Sequence, residues 1–164
     1  MSAGQKATLA PELDSETGAV AVLAVLAGNE AYGIPLGSVR EILAPPPMTE
    51  VPRAADHFLG VISVRGEIIT VIDLPKLLNL EVVHDGTYGR VLLVDNGQEL
   101  IGMAVDRVIQ VYRLEPEQIE YASAMGADLS DYVIGVGRVQ GETTGKSDDI
   151  LILIDPVSLL GGIA

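Results

Sequence analysis

The chain has 164 residues, with 10 Lys and Arg against 23 Asp and Glu, a formal net charge of -13. That balance repels phosphate backbones and anionic lipid surfaces and leaves no basic patch, which excludes nucleic acid as a partner. Cysteine is absent, so there are no disulfides or thiolate metal sites, and apolar residues make up 48% of the chain but aromatics only 4%, so the core must be built of Val, Ile, Leu and Ala.

Residues 1–17 mix Ala, Gly, Pro, Ser and acids without periodicity, the composition of a disordered tail that cannot bury enough apolar surface to offset its ordering entropy. The uncharged run from Thr17 to Asn29 is shorter than the roughly 20 residues a spanning helix needs. Glu12, Asp14 and Glu16 precede it where a signal peptide would carry positive charge. The expectation is a cytoplasmic protein without direct membrane insertion.

From Val20 to Ala27 both alternate faces are apolar, which predicts a strand buried on both sides. Gly28-Asn29 marks a turn, and Tyr32 to Leu36 a second strand, followed by Gly37 to Leu43 with Val39, Ile42 and Leu43 apolar. Ala44 to Arg53 contains Pro45, Pro46, Pro47 and Pro52; prolines cannot donate to a ladder, so this connector is predicted to be an extended surface loop.

Val61 to Val64 and Ile68 to Ile72 flank Arg65-Gly66-Glu67 and predict a β-hairpin. Asp73 then caps a short helix over Leu74 to Leu80, with Pro75 in its first turn, where a missing N–H costs little. Val82 to Gly89 has the composition of a linker.

The second half of the chain repeats the first. A shift of 69 pairs Val22 with Val91, Val25 with Val94, Gly33 with Gly102 and Val39 with Val108. LGVISVRGE from Leu59 corresponds to IGVGRVQGE from Ile134 at a shift of 75, and VIDLPKLL from Val71 to LIDPVSLL from Leu153 at 82. The growing shifts place longer loops in the second copy, at Glu115 to Tyr132 and Glu142 to Asp149. The predicted organisation is a tail over 1–17 and one domain over 18–164, with a first barrel repeat at about 18–80 and a second at about 88–160. Two five-stranded units of this kind close into barrels, share an apolar interface and leave a groove between them.

Catalytic motifs fail on context. Gly141 to Ser147 resembles a phosphate-binding loop with one residue missing, but it leads into the strand-like Ile150 to Ile154 rather than a helix whose N–H groups would cradle phosphate. Gly135 to Gly141 is one residue too long for a dinucleotide fingerprint and is read as turn and strand. His57 and His84 are the only imidazoles and neither has a neighbour at ligand or nucleophile spacing. Asp128, Asp131, Asp148 and Asp149 form no calcium-loop spacing and are read as solvated charges. No catalytic residue, metal or cofactor is expected. Arg65 stands out as a planar five-donor head at a hairpin tip, aimed by Gly66, in a chain with ten basic residues.

At these residues the chain resembles the CheW-like coupling proteins of bacterial chemotaxis. AYGIPLGSVREIL, FLGVISVRGEIITVIDLPKLL, ELIGMAVDRVIQV, DYVIGVGRV and ILILIDPVSLL occur in the family's order over about residues 19–160. The resemblance implies an all-β fold of two SH3-like five-stranded barrels sharing a core, with short helices. It also implies a noncatalytic adaptor that couples the cytoplasmic tip of a methyl-accepting chemoreceptor to the regulatory domain of a CheA-type histidine kinase, recruited to membrane-associated receptor arrays. The receptor tip would dock in the groove, at positions matching Val39, Glu41, Gly60, Arg65, Gly66 and Gly102. The triple proline and the end soon after the last helical turn depart from the family pattern. Two alternatives are a CheW-like scaffold serving another receptor-kinase pathway, in motility or development, and a small ligand-binding β-barrel.

Overall fold

The structure is a computed structural model that describes residues 18–80, 88–125, 130–140 and 148–161. The N-terminal tail, most of the predicted linker with His84, Asp128, and the loop over 141–147 lie outside the described residues.

Among the described residues eleven strands form two sheets. Strands β1 (Val20–Ala27), β2 (Glu30–Pro35), β3 (Val39–Leu43), β4 (Phe58–Val64) and β5 (Glu67–Asp73) are followed by helix α1 (Leu74–Leu77). Then come β6 (Arg90–Asp95), β7 (Leu100–Val105), β8 (Arg107–Leu114), β9 (Ile119–Tyr121), helix α2 (Ala122–Met125), β10 (Val133–Gln140), β11 (Asp148–Ile154) and helix α3 (Pro156–Leu160). The all-β expectation holds.

The repeat is present, but the sheets do not divide where it does. One sheet has the order β8-β1-β2-β11-β10-β9 and the other β3-β6-β7-β5-β4, so each draws strands from both halves. The two halves thus exchange strands. Pro35 has no N–H with which to continue pairing, and a 3-10 turn at Leu36–Ser38 carries the chain out of the first sheet into β3, which pairs with β6. In the second half the chain leaves β7 at Asp106 and enters β8 against β1. The exchange is symmetric: β5 runs parallel to β7 at Val71↔Gly102, and β11 runs parallel to β2 at Leu153↔Gly33.

The core follows the exchange. Val20, Val22 and Ala24 of β1 face one interior cluster with Leu114, Leu151 and Leu153. Val91 and Leu93 of β6 face its counterpart with Ile62, Ile69 and Val71. The alternate residues of both strands, Leu23, Val25, Leu92 and Val94, turn to a third cluster between the sheets with Ile34, Ile72, Met103 and Ile154. A strand apolar on both faces is needed because it serves two cores at once. Burying each such side chain contributes roughly 1.5–3 kcal/mol.

Asp73 and Asp155 cap the two equivalent helices. Asp73 Oδ1 accepts from Lys76 N and Oδ2 from the Tyr88 hydroxyl, 2.8 Å away. Asp155 accepts from Val157 N and from Ser158 Oγ. Helix α1 is shorter than predicted because Asn79, at φ 60°, takes the left-handed conformation that ends a helix. The segment read as a long loop between Glu115 and Tyr132 instead holds a 3-10 turn at Pro116–Gln118, β9 and α2.

Candidate functional site

Val64 and Glu67 pair across a two-residue turn whose residues, Arg65 and Gly66, have φ 48° and 86°. Both are left-handed, the geometry that matches the twist of a tight hairpin. Arg65 is one of three non-Gly residues with positive φ among those described, and this backbone fixes the direction in which its side chain leaves the turn.

That direction is toward Glu41. Arg65 Nη1 donates to Glu41 Oε2 at 3.3 Å, while Nη2 donates to Oε1. Glu41 lies on β3, at one edge of its sheet, and the Arg65 turn joins β5 to β4, at the other edge. The guanidinium therefore spans the open seam where the sheet curls back on itself, a place that no ladder closes. In the other sheet the seam is closed by packing: Leu114 of β8 lies over Gly137 of β10, where an added Cβ would come within 2.7 Å of Leu114 Cδ1.

The pair is solvated, with Arg65 72% and Glu41 35% exposed, so it adds little to stability and instead sets position. The hydrogen bonds from Arg65, more than its charge, hold the Glu41 carboxyl below the usual glutamate range, and those bonds in turn raise the Arg65 guanidinium. The site keeps a fixed fork with donors to spare.

The other expected residues divide. Gly66 is at the tip, with nothing within 4 Å of where a side chain would go. Val39 opens β3 and packs, half-buried, onto the cluster between the sheets, as does its repeat counterpart Val108. Gly60 and Gly102 are buried. At Gly60 an added Cβ would meet Thr49 O at 2.3 Å, because the connector crosses there and Thr49 bridges to Val61. The proline-rich segment is thus pinned at one point. The connector's own backbone occupies the space beside Gly60. Gly135, the counterpart of Gly60, has the Glu120 carbonyl in the same place at 2.3 Å. Gly102 sits in a central strand, where an added Cβ would come within 3.0 Å of Val71 Cγ2 and 3.1 Å of Val91 Cγ1.

Ile68 and Ile150, related by the 82-residue shift, are 70% and 57% exposed. The same shift that matched VIDLPKLL to LIDPVSLL would have found them; their exposure required the strand faces. His57 is half-buried, with its ring 4.9 Å from Phe58 and its carbonyl accepting from Asp73 N. Among the described residues no group of three His, Cys, Asp or Glu is placed to hold a metal, and no helix is long and apolar enough to cross a membrane.

The model of the CheW-like domain matches residues 21–163. The chain belongs to the CheW-like family. It is 31% identical over 150 residues to the chemotaxis protein CheW of Klebsiella aerogenes, covering 91% of this chain and 86% of that protein. It is 26% identical to the protein FrzA of Myxococcus xanthus, over 70% of this chain and 71% of FrzA. The crystal structure of the scaffolding protein TtCheW from Thermoanaerobacter tengcongensis superposes with a TM-score of 0.67 at 25% identity, covering 82% of this chain and 88% of that one.

Proposed function

We propose that this CheW-like chain, with residues 18–164 as one functional unit, is a noncatalytic cytoplasmic adaptor. It couples the tip of a methyl-accepting chemoreceptor to the regulatory domain of a CheA-type histidine kinase and so sits in membrane-associated receptor arrays. The observation that carries this reading is the Arg65–Glu41 fork: an exposed, directionally fixed polar pair across a barrel seam, with planar donors suited to carboxylate or carbonyl recognition. The family's naming as chemotaxis and scaffolding proteins supports it.

An adaptor needs more than one docking surface. Ile68 and Ile150 are repeat-related exposed apolar points, one on each sheet, and the second surface is assigned to them. Receptor contact is assigned to Val39, Glu41, Arg65 and Gly66, and kinase contact to the isoleucine surfaces.

The test is a binding titration of the full chain against a receptor tip fragment and, separately, a kinase regulatory domain. Arg65→Ala is expected to weaken receptor binding about tenfold or more, the cost of losing a charge-assisted contact, with kinase binding retained. Ile68→Asp is expected to do the reverse. A folded wild type that bound neither partner would overturn the adaptor reading.

A further inference from the structure

Of the three asparagines, Asn29, Asn79 and Asn96, only Asn96 precedes a glycine. That dipeptide carries a chemistry of its own. The backbone nitrogen that follows an asparagine can attack the side-chain amide, and a glycine, having no Cβ, leaves that nitrogen free to make the approach. Asn29 and Asn79 are exposed and followed by Glu30 and Leu80, whereas Asn96 is 2% exposed.

Both polar atoms of the Asn96 side chain are held. Asn96 lies in the turn between β6 and β7, where Oδ1 accepts from Gln98 N and Glu99 N, both at 2.9 Å. Nδ2 donates to the carbonyl of Leu160, the last residue of α3, at 3.3 Å in a buried setting. The nucleophile is engaged as well: Gly97, at φ 96°, donates its N–H to Asp95 Oδ1 at 2.8 Å, and Asp95 Oδ2 accepts from Arg40 Nη2 at 2.9 Å. Carbonyl, nucleophile and leaving group are thus tied to different neighbours.

These ties are unequal. Two belong to the turn itself and to the pairing of β6 with β7. The third depends on a helix of five residues, seated by its Asp155 cap and by Leu159 and Leu160 on the cluster between the sheets. A helix so short has no stability of its own, and its undocking is a local opening that costs less than unfolding. The first half of the chain shows that the fold does not require the link. At the 69-residue shift Asn96 corresponds to Ala27, and at the 82-residue shift Leu160 corresponds to Leu78. Helix α1 ends on its own backbone bonds, Leu78 N to Leu74 O and Leu80 N to Pro75 O.

We infer that Asn96–Gly97 is a deamidation site gated by α3, silent while the helix is seated and reactive when it undocks. In the open state Nδ2 is released and water reaches the turn. Gly97 N then bonds to Asn96 Cγ, the Cγ–Nδ2 bond breaks, and ammonia leaves with the proton given up by Gly97 N, closing a cyclic succinimide. Water, the only co-reactant, opens the ring at one carbonyl or the other to give an aspartate or an isoaspartate. The aspartate sets a carboxylate against the Leu160 carbonyl, two acceptors facing each other where a donor stood. The isoaspartate reroutes the backbone through the former side chain and breaks the turn. Either product favours the open state that made it, so the site keeps a permanent record of undocking. The inference goes beyond the adaptor reading and does not depend on it.

The experiment incubates the full-length wild type at mildly alkaline pH, folded and in urea, and follows each asparagine by peptide mapping for conversion of amide to carboxylate and for the isoaspartate linkage. In urea Asn96 is expected to convert faster than Asn29 or Asn79, and folding is expected to slow it about 100-fold or more, as for a group reached only through a local opening. Asp155→Ala removes the cap of α3 and is expected to raise the folded-state rate about fivefold, the shift that losing a typical N-cap makes in an opening equilibrium. Ser158→Ala, which removes one hydrogen bond to Asp155, raises it less. Ile69→Val, a core truncation of similar cost in a cluster that excludes Leu160, leaves the rate near wild type. Asn96→Asp installs one product and is expected to speed hydrogen exchange of the Leu159 amide, bonded to Asp155 O in the seated helix, about tenfold. Unchanged rates in both α3 variants would overturn the gate, and so would equal rises in Asp155→Ala and Ile69→Val, which would assign the reaction to global unfolding. Absence of conversion in urea would remove the site itself, and unchanged Leu159 exchange in Asn96→Asp would remove the effect of the product on the helix.

Discussion

Gly60 and Gly66 lie on the same hairpin and are glycine for different reasons. Gly60 has φ 151° and a backbone carbonyl 2.3 Å from where a Cβ would stand; Gly66 has φ 86° and open space. Gly60→Ala must push the connector away and break the Thr49–Val61 bridge, at about 2–3 kcal/mol for overpacking against backbone. Gly66→Ala meets no atom and costs about 1 kcal/mol for the left-handed φ, while Gly66→Asn, which tolerates that region, costs less. Urea unfolding of the three variants checks the order, and equal losses for Gly60→Ala and Gly66→Ala would mean that the connector does not pack as described. A Gly60 substitution that abolishes partner binding therefore reports first on folding. Arg65→Ala carries no such ambiguity, because its side chain is solvated and its neighbours keep their backbone.

At the scale of elements, the capping aspartates show how equivalent positions diverge. Asp73 ends β5 and Asp155 directly follows β11; each begins a helical turn and donates its N–H to a carbonyl 16 or 23 residues upstream, His57 or Tyr132. The Asp155 carboxyl is pushed above the usual aspartate range, first by burial, against the opposing hydrogen bonds from Val157 and Ser158. A carboxyl raised in the folded state stabilises the fold below its unfolded pKa, and that contribution is lost as pH rises through the folded value. Asp155→Asn keeps the cap without the buried charge. Its stability relative to wild type is therefore expected to rise between about pH 4, the ordinary aspartate range, and the raised value, then level off. Denaturant melts at several pH values test this, and a difference that stays constant from pH 4 to 8 would show that burial does not perturb the group.

Much at this scale was legible in the chain itself. The β4–β5 hairpin, its Asp cap and the doubly apolar β1 follow from short-range rules of turn chemistry and periodicity. The Arg65 turn was readable for the same reason. Its partner Glu41 was named through the family resemblance, not through local pattern, because the two meet across a seam.

The whole molecule departs most from a residue-by-residue reading in how its halves combine. Hydrophobic alternation says that β1 and β6 are buried on both faces but not which strands flank them. In the structure β1 pairs with β2 of its own half and β8 of the other, and β6 pairs with β7 of its own half and β3 of the other. An isolated first half would expose β1 along its β8 edge and leave β3 without β6; an isolated second half would lose β1, β2, β3 and β5 as neighbours. Unpaired edges with apolar faces on both sides aggregate rather than fold. A fragment of residues 1–81 and one of residues 82–164 are thus each expected to lack a cooperative melt and to associate nonspecifically. Mixed at equal concentration, they are expected to yield one folded species with near-native circular dichroism and a concentration-dependent melting temperature, since folding becomes bimolecular. A cooperative, monomeric melt from either fragment alone would show that a half can close its own barrel, and the exchanged strands would then be a feature of assembly rather than a condition for folding.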